Sequence, residues 1–198
     1  MTESNGPLPA EVLQAVVRHK IPLVSGVSGL DDLQLATLDD TAAVVPVVYD
    51  RNLSVGVAIL EELVRVAAAS LGPEFEAEIH ETHHIHKKDA PSGTALKLGE
   101  AVADVRNQDF REVARYAPQE GSREPSAGDI RFEVERRGEV PGDHSVNFRS
   151  ETELLTLNHS VTTRQVFADG ALRAARWVVR QDPGLYLMKD VLFGKSMA

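Results

Sequence analysis

The sequence predicts an α/β protein in two parts, a short parallel sheet with flanking helices followed by an α+β region. Two apolar runs, "IPLVSG" at Ile21–Gly26 and "AAVVPVVYD" at Ala42–Asp50, stand between helical patterns, as strands covered on both faces do. From Glu74 the period changes to two in "EFEAEIHET", the mark of a half-exposed strand. Three more strand-like runs, "DIRFEVERR", "HSVNFRSE" and "TELLTLNHSV", then read as an antiparallel sheet with polar outer faces.

The elements follow in order. Pro9 to Lys20 has helical spacing with Val12, Val16 and Val17 on one face, ahead of the first strand. After the second strand, Ser54 is placed to cap the long apolar helix "VGVAILEELVRVAAASLG", which Gly72 ends. Beyond "DAPSG", Ala95, Leu98, Val102 and Val105 restore helical spacing, with Asp89 and Ser92 available as caps and Pro91 suited to a helix start. A polar loop, "YAPQEGSREPSAG", separates this helix from the later strands. A helix around "GALRAARWVVRQ" and a glycine-punctuated tail, "PGLYLMKDVLFGK", close the chain.

Composition narrows the function. The chain has 198 residues, 42% of them hydrophobic, enough for a real core. No apolar run approaches the roughly 18 to 20 residues that cross a bilayer, and the N-terminus has no secretory pattern, so a cytoplasmic protein without a membrane partner is expected. The absence of cysteine removes disulfides, thiolate metal sites and cysteine nucleophiles. A net charge of −9 argues against nucleic acid as a partner. An anionic small substrate needs locally concentrated positive charge.

One stretch supplies it. "IHETHHIHKKDAPSGTA", Ile79 to Ala95, holds four of the chain's seven histidines. His80, Glu81 and His84 match H-E-x-x-H, which binds zinc when a helix brings the histidines at i and i+4 to one face. Here the period is that of a strand, which spreads i and i+4 apart, so no metal is expected and His80 and Glu81 are set aside. Ser92, Gly93 and Thr94 instead stand at a helix N-terminus, where backbone N–H groups and the helix dipole favour a carboxylate or phosphate. Lys87 and the histidines upstream offer positive charge and a proton near neutral pH. The expectation is an anion site with an acid beside it.

These residues resemble a known family. "THHIHKKDAPSGTALKLGEAVA" is similar to the signature of the 4-hydroxy-tetrahydrodipicolinate reductase (dihydrodipicolinate reductase) family, approximately E-x-H-H-x-x-K-x-D-A-P-S-G-T-A. "SGVSGLDD" and "DRNLSVGV" upstream, and "RRGEVPGDH" and "NHSVTTRQVFADGALRAARWV" downstream, resemble further family segments, so the likeness runs from about Pro9 to Phe193. The resemblance implies NAD(P)H-dependent reduction of a cyclic imine dicarboxylate in lysine biosynthesis. His83 would donate the proton and Lys87 would be its cationic partner, while His84, Ser92, Gly93 and Thr94 would hold the substrate carboxylates. His86 would have a supporting role. Gly26, Ser28, Asn52 and Arg164 would lie along the cofactor. The implied architecture is a truncated Rossmann-like remnant, residues 1–54 and 165–198, with an α+β substrate-binding, catalytic and oligomerisation domain at 55–164. The family forms homo-tetramers, which implies a homo-oligomer here, with a dimer as the alternative.

The sequence also departs from the family. The family opens with G-x-G-x-x-G on its first strand and helix, whereas no two of the 14 glycines here are separated by a single residue. Without that turn the pyrophosphate and adenosine of a dinucleotide have no visible site, and a strand that is central in the family becomes an edge. "GVSG" replaces the family's G-T-T-G, and Asp50 before Asn52 is expected to repel a pyrophosphate. Three readings follow: the family reduction with NAD(P)H; acid-base chemistry such as dehydration, cyclisation or imine formation on a related amino dicarboxylate with no cofactor; or a non-catalytic dicarboxylate-binding or partner subunit.

Overall fold

The computed structural model describes residues 8–116 and 128–194, so most of the polar loop, residues 117–127, lies outside the described residues. In chain order the elements are α1 (Ala10–His19), β1 (Leu23–Ser25), α2 (Asp32–Ala42), β2 (Pro46–Tyr49), α3 (Val55–Leu71), β3 (Glu76–His83), α4 (Gly93–Val105), α5 (Phe110–Val113), β4 (Ala114–Arg115), β5 (Ile130–Arg136), β6 (Asp143–Arg149), β7 (Leu154–Ser160), α6 (Gln165–Val178), β8 (Gly184–Tyr186) and α7 (Met188–Phe193). They form two compact units, Met1–Ala58 with Gln165–Ala198, and Ile59–Arg164.

The first unit holds a three-stranded sheet in the order β1-β2-β8, parallel throughout. Successive residues of β2 point to opposite faces, which is why its apolar run is unbroken: Val47 joins a cluster with Leu13, Val16 and Leu38, and Val48 a cluster with Ala174, Tyr186 and Met188. α1 turns a different face inward from the one expected. Leu13 and Val16 are buried, whereas Val12 is 43% exposed. Gly170 lets α6 approach the chain closely, since a Cβ there would overlap the carbonyl oxygen of Leu53. Helix α2, which no apolar period announced, is set by a capping box: Asp31 Oδ1 accepts from the Gln34 N–H at 2.8 Å and Gln34 Oε1 accepts from the Asp31 N–H at 3.0 Å.

The second unit is built on a five-stranded sheet in the order β4-β5-β3-β6-β7. β3 runs parallel to β5 and antiparallel to β6, and β6 is antiparallel to β7. The sheet is therefore mixed, and β5 pairs with β3 rather than extending the antiparallel run of β6 and β7. The crossover carried by α4 accounts for this, because a helix spans the return that a parallel pair needs. α4 buries Ala95, Leu98, Ala101 and Val102 against Ile79, Ile130, Phe132, Val146 and Phe148. Gly99 of α4 faces the rings of Phe110 and Phe132 closely enough that a Cβ would displace them.

Candidate active site

β3 decides which side chains enter the site. Ala77 and Ile79 point into the core, and the period of two carries Glu81 and His83 onto that same buried side, 2% and 7% exposed. His80 points to the opposite face, where Nε2 lies 3.0 Å from Glu78 and Nδ1 3.0 Å from Glu133. Neighbouring residues on a strand cannot share a face, so His80 and Glu81 do not form the zinc-protease arrangement. Glu81, set aside with that motif, nonetheless lies where His83, His144, Ser92 and Arg136 meet.

Both oxygens of Glu81 are engaged. Oε2 lies 3.1 Å from His83 Nδ1 and 3.8 Å from His144 Nε2. Oε1 accepts from the backbone N–H of Ser92 at 2.9 Å and from Arg136 Nη2 at 3.2 Å. Burial alone would raise the pKa of this carboxyl, but hydrogen bonds from His83 and Ser92 outweigh it and hold the group down at about 2. Glu81 is therefore an anion throughout the neutral range and accepts hydrogen bonds only.

His144, from β6, is 3% exposed, and its ring meets that of His83 edge to face at 5.0 Å and 75°. Burial depresses its pKa to about 3, the charge of His83 adding to the effect and Glu81 opposing it. It stands as a neutral imidazole, with Nε2 3.2 Å from the Ser92 hydroxyl. Ser92 is the N-cap of α4: its Oγ accepts from the Ala95 N–H at 3.2 Å, and Gly93 and the buried Thr94 form the helix's first turn.

Arg136 ties the loop after β3 to this hub. Its Nε donates to the Lys87 carbonyl at 3.4 Å, and its Nη2 donates to the Asp89 carbonyl as well as to Glu81. Lys87 Nζ lies 2.9 Å from Asp89, so Asp89 pairs with Lys87 instead of capping α4. His84 is half-buried just past β3, its ring 6.1 Å from that of the exposed His86. Of the expected substrate and acid residues, His83, Ser92 and Lys87 are thus linked through Glu81 and Arg136, with Gly93 and Thr94 following Ser92. Glu81, Arg136 and His144 were missed. "RRGEVPGDH" contained two of them and stood out as a stretch, but arginine and histidine at strand ends carry no period that marks a role.

Among the described residues, two groups of side chains have donor atoms close enough together to share a metal: Glu81, His83 and His144, and Glu78, His80 and Glu133, each within 4.8 Å. In the first, the guanidinium of Arg136 already neutralises the carboxylate, and a cation would have to displace the 3.1 Å contact of His83 Nδ1 with Glu81 Oε2.

Gly26 and Ser28 follow the carboxyl end of β1, and Asn52 that of β2, the end where open α/β sheets bind ligands. The two loops are joined by the Asp50 N–H, which donates to the Ser25 carbonyl at 3.2 Å. Asp50, expected to repel a pyrophosphate, is turned inward. It is 2% exposed, and its Oδ2 accepts from the Met188 N–H at 3.2 Å, capping α7. Asn52 Oδ1 accepts from the Ser54 N–H at 2.8 Å. Arg164 is an exposed turn residue before α6. A dinucleotide fits these residues only in part. The N-terminus of α2 is closed by the Asp31 box and followed by Asp32, an acidic entrance that disfavours pyrophosphate. Gly26 and Gly29 stand in the loop that leads into α2, but among the described residues no G-x-G-x-x-G turn opens a helix.

Comparison with known proteins shows the family of the chain. Residues 56–192 match the family model described as dihydrodipicolinate reductase, C-terminus. Proteins named 4-hydroxy-tetrahydrodipicolinate reductase from Pseudoalteromonas translucida and Zymomonas mobilis are 42% and 43% identical to the chain over 180 residues, which is 91% of this chain and 67% and 71% of theirs. One from Halorhodospira halophila is 46% identical over 173 residues, 64% of its length. The chain thus spans about two thirds of these relatives. A solved dipicolinate-bound dihydrodipicolinate reductase from Paenisporosarcina sp. TG-14 superposes with a TM-score of 0.69 at 26% identity, covering 92% of this chain and 69% of that one. The chain belongs to the dihydrodipicolinate reductase family.

Proposed function

We propose that the chain acts on a tetrahydrodipicolinate-like cyclic imine with two carboxylates and reduces its C=N bond; its relatives are named 4-hydroxy-tetrahydrodipicolinate reductase. The observation that carries this is the meeting of His83 Nδ1 and the Ser92 N–H on the one carboxylate of Glu81, which sets an acid beside the N-terminus of α4. In this reading residues 55–164 bind substrate, carry the chemistry and build a homo-oligomer, and 1–54 with 165–198 belong to the cofactor side. The exposed Leu154 and Leu155 of β7 support an assembly.

The N–H groups of Gly93 and Thr94 bind one carboxylate of the substrate, aided by the α4 dipole and the Ser92 cap. Lys87 and His84 add positive charge and hydrogen bonds to hold the dicarboxylate. NAD(P)H, the cofactor of the family reaction, supplies the hydride when bound. Reduction of C=N also requires one proton at nitrogen, and His83 donates it from Nε2 while Nδ1 keeps its bond to Glu81.

A second reading, acid-base chemistry on a related amino dicarboxylate without a nicotinamide, is favoured by the closed, acidic N-terminus of α2. Oxidation of NADPH or NADH in the presence of 4-hydroxy-tetrahydrodipicolinate, the compound its relatives are named for, separates the two. The first reading expects turnover that drops about 100-fold or more in His83→Ala, the scale of a lost general acid. No cofactor binding at millimolar concentration, with His83-dependent conversion of an amino dicarboxylate, would support the second. Turnover unchanged in His83→Ala would defeat both.

A further inference from the structure

We propose that Glu81 is the positioning residue of His83: its buried carboxylate fixes the imidazole by Nδ1, so that Nε2 is the nitrogen presented to substrate. This rests on the reading of His83 as the acid.

Three features of the fold converge on that ring. The first is the 3.1 Å approach of Nδ1 to Glu81 Oε2, within a site where Glu81 is only 2% exposed and cannot exchange this partner for water. The second is the clamp on the carboxylate itself. Oε1 is held by a backbone N–H on α4 and by a guanidinium on β5, so Glu81 cannot swing without breaking bonds to two other elements. The third is the surroundings of the ring. The edge-on ring of His144 limits its tilt, and Gly142 leaves its far side clear: a Cβ at Gly142 would stand 3.0 Å from His83 Nε2. Gly142 also has φ at 154°, a backbone state that L side chains rarely adopt.

Function follows from the chemistry of imidazole. Its two nitrogens are equivalent in neither position nor partner, and the one that carries the exchangeable proton is set by what holds the other. An anionic carboxylate on Nδ1 keeps that nitrogen protonated in both states of His83. The proton given up therefore leaves from Nε2 and returns there. Arg136 and His144 serve the same end through Glu81, Arg136 by balancing its charge and His144 by filling the space around it. The charged and titratable groups facing Glu81 are His83 on its own strand, Arg136 on β5, His144 on β6 and, through its field at His144, Lys87 in the following loop.

The test reads the ring directly and then its use. ¹⁵N NMR of histidine-labelled protein, with His83 assigned by His83→Gln, should show the Nδ1–H tautomer whenever His83 is neutral. Because this needs no substrate, it separates the proposal from the reading it rests on. An Nε2–H tautomer in the wild type would overturn the proposal whether or not the protein turns over. In Glu81→Gln, where an amide can offer an N–H to Nδ1, we expect the tautomer to become mixed or inverted. Under the reductase assay kcat should then fall by roughly 10- to 100-fold, part of what a general acid contributes, with KM changed less than about 3-fold. Glu81→Asp should recover the Nδ1–H tautomer and part of kcat. An unchanged tautomer in Glu81→Gln, or a loss confined to KM, would contradict the assignment.

Discussion

The backbone N–H of Ser92 donates to Oε1 of Glu81 across 2.9 Å, joining the start of α4 to the end of β3. The bond uses the main chain of Ser92, while its hydroxyl caps the helix, meets His144 and helps the main chain hold Glu81 ionised. Ser92→Ala keeps the bond to Glu81 and loses the cap, so urea denaturation should show a loss of about 1 kcal/mol. The His83 tautomer should be that of the wild type.

Acid should weaken the fold in two stages. Between its ordinary value of 6.5 and about 3, His144 takes up a proton when unfolded that it refuses when buried, so stability falls as pH falls. Glu81 acts with the same sign at lower pH: its folded pKa of about 2 lies below the ordinary 4.5, and the stability present above 4.5 is lost on acidification. One such proton is worth up to about 1.4 kcal/mol per pH unit. Urea denaturation across this range should therefore show a smaller slope between pH 6.5 and 4.5 in His144→Gln than in the wild type, with the steeper loss below 4.5 retained. Burial also lowers the pKa of His159, so part of the upper limb persists in the variant. Equal slopes in the two proteins would contradict the burial of a neutral His144.

Lys97 holds the buried Glu61 of α3, at 2.7 Å, from the next helix of the second unit. The remaining cation near that carboxylate, Arg65, is at 3.5 Å and is shared with Asp104. Lys97→Met strands most of a buried charge, and a loss of about 3 kcal/mol is expected in chemical denaturation. The double variant Lys97→Met with Glu61→Gln should recover much of it.

Much of this was legible in the sequence where a period and a cap agreed. The two-residue period of "EFEAEIHET" and the helical spacing after "DAPSG" placed β3, α4 and the Ser92 cap, and with them the site. Glu81 was lost for a specific reason. It was judged as a member of H-E-x-x-H, and when the strand removed that motif the glutamate went with it, although the same strand period puts it beside His83. Arg136 and His144 reach the site from β5 and β6 by long-range pairing, which no local pattern reports. Helix α2 was missed because its start is marked by a capping box while Leu33, early in the helix, is 76% exposed and blurs the apolar stripe. The pairing of β5 with β3 was hidden because alternation reports a strand's faces and not its neighbours.

In the proposed reading the start of α4, with Lys87 beside it, binds a cyclic dicarboxylate. Titration calorimetry with dipicolinate tests it most directly, since binding is read without cofactor or turnover. The account predicts saturable one-site binding, weakened roughly 10-fold or more in Lys87→Met through loss of a charge-assisted contact, with both proteins equally folded by circular dichroism. No binding by the folded wild type at millimolar dipicolinate, or equal affinity in the variant, would contradict it.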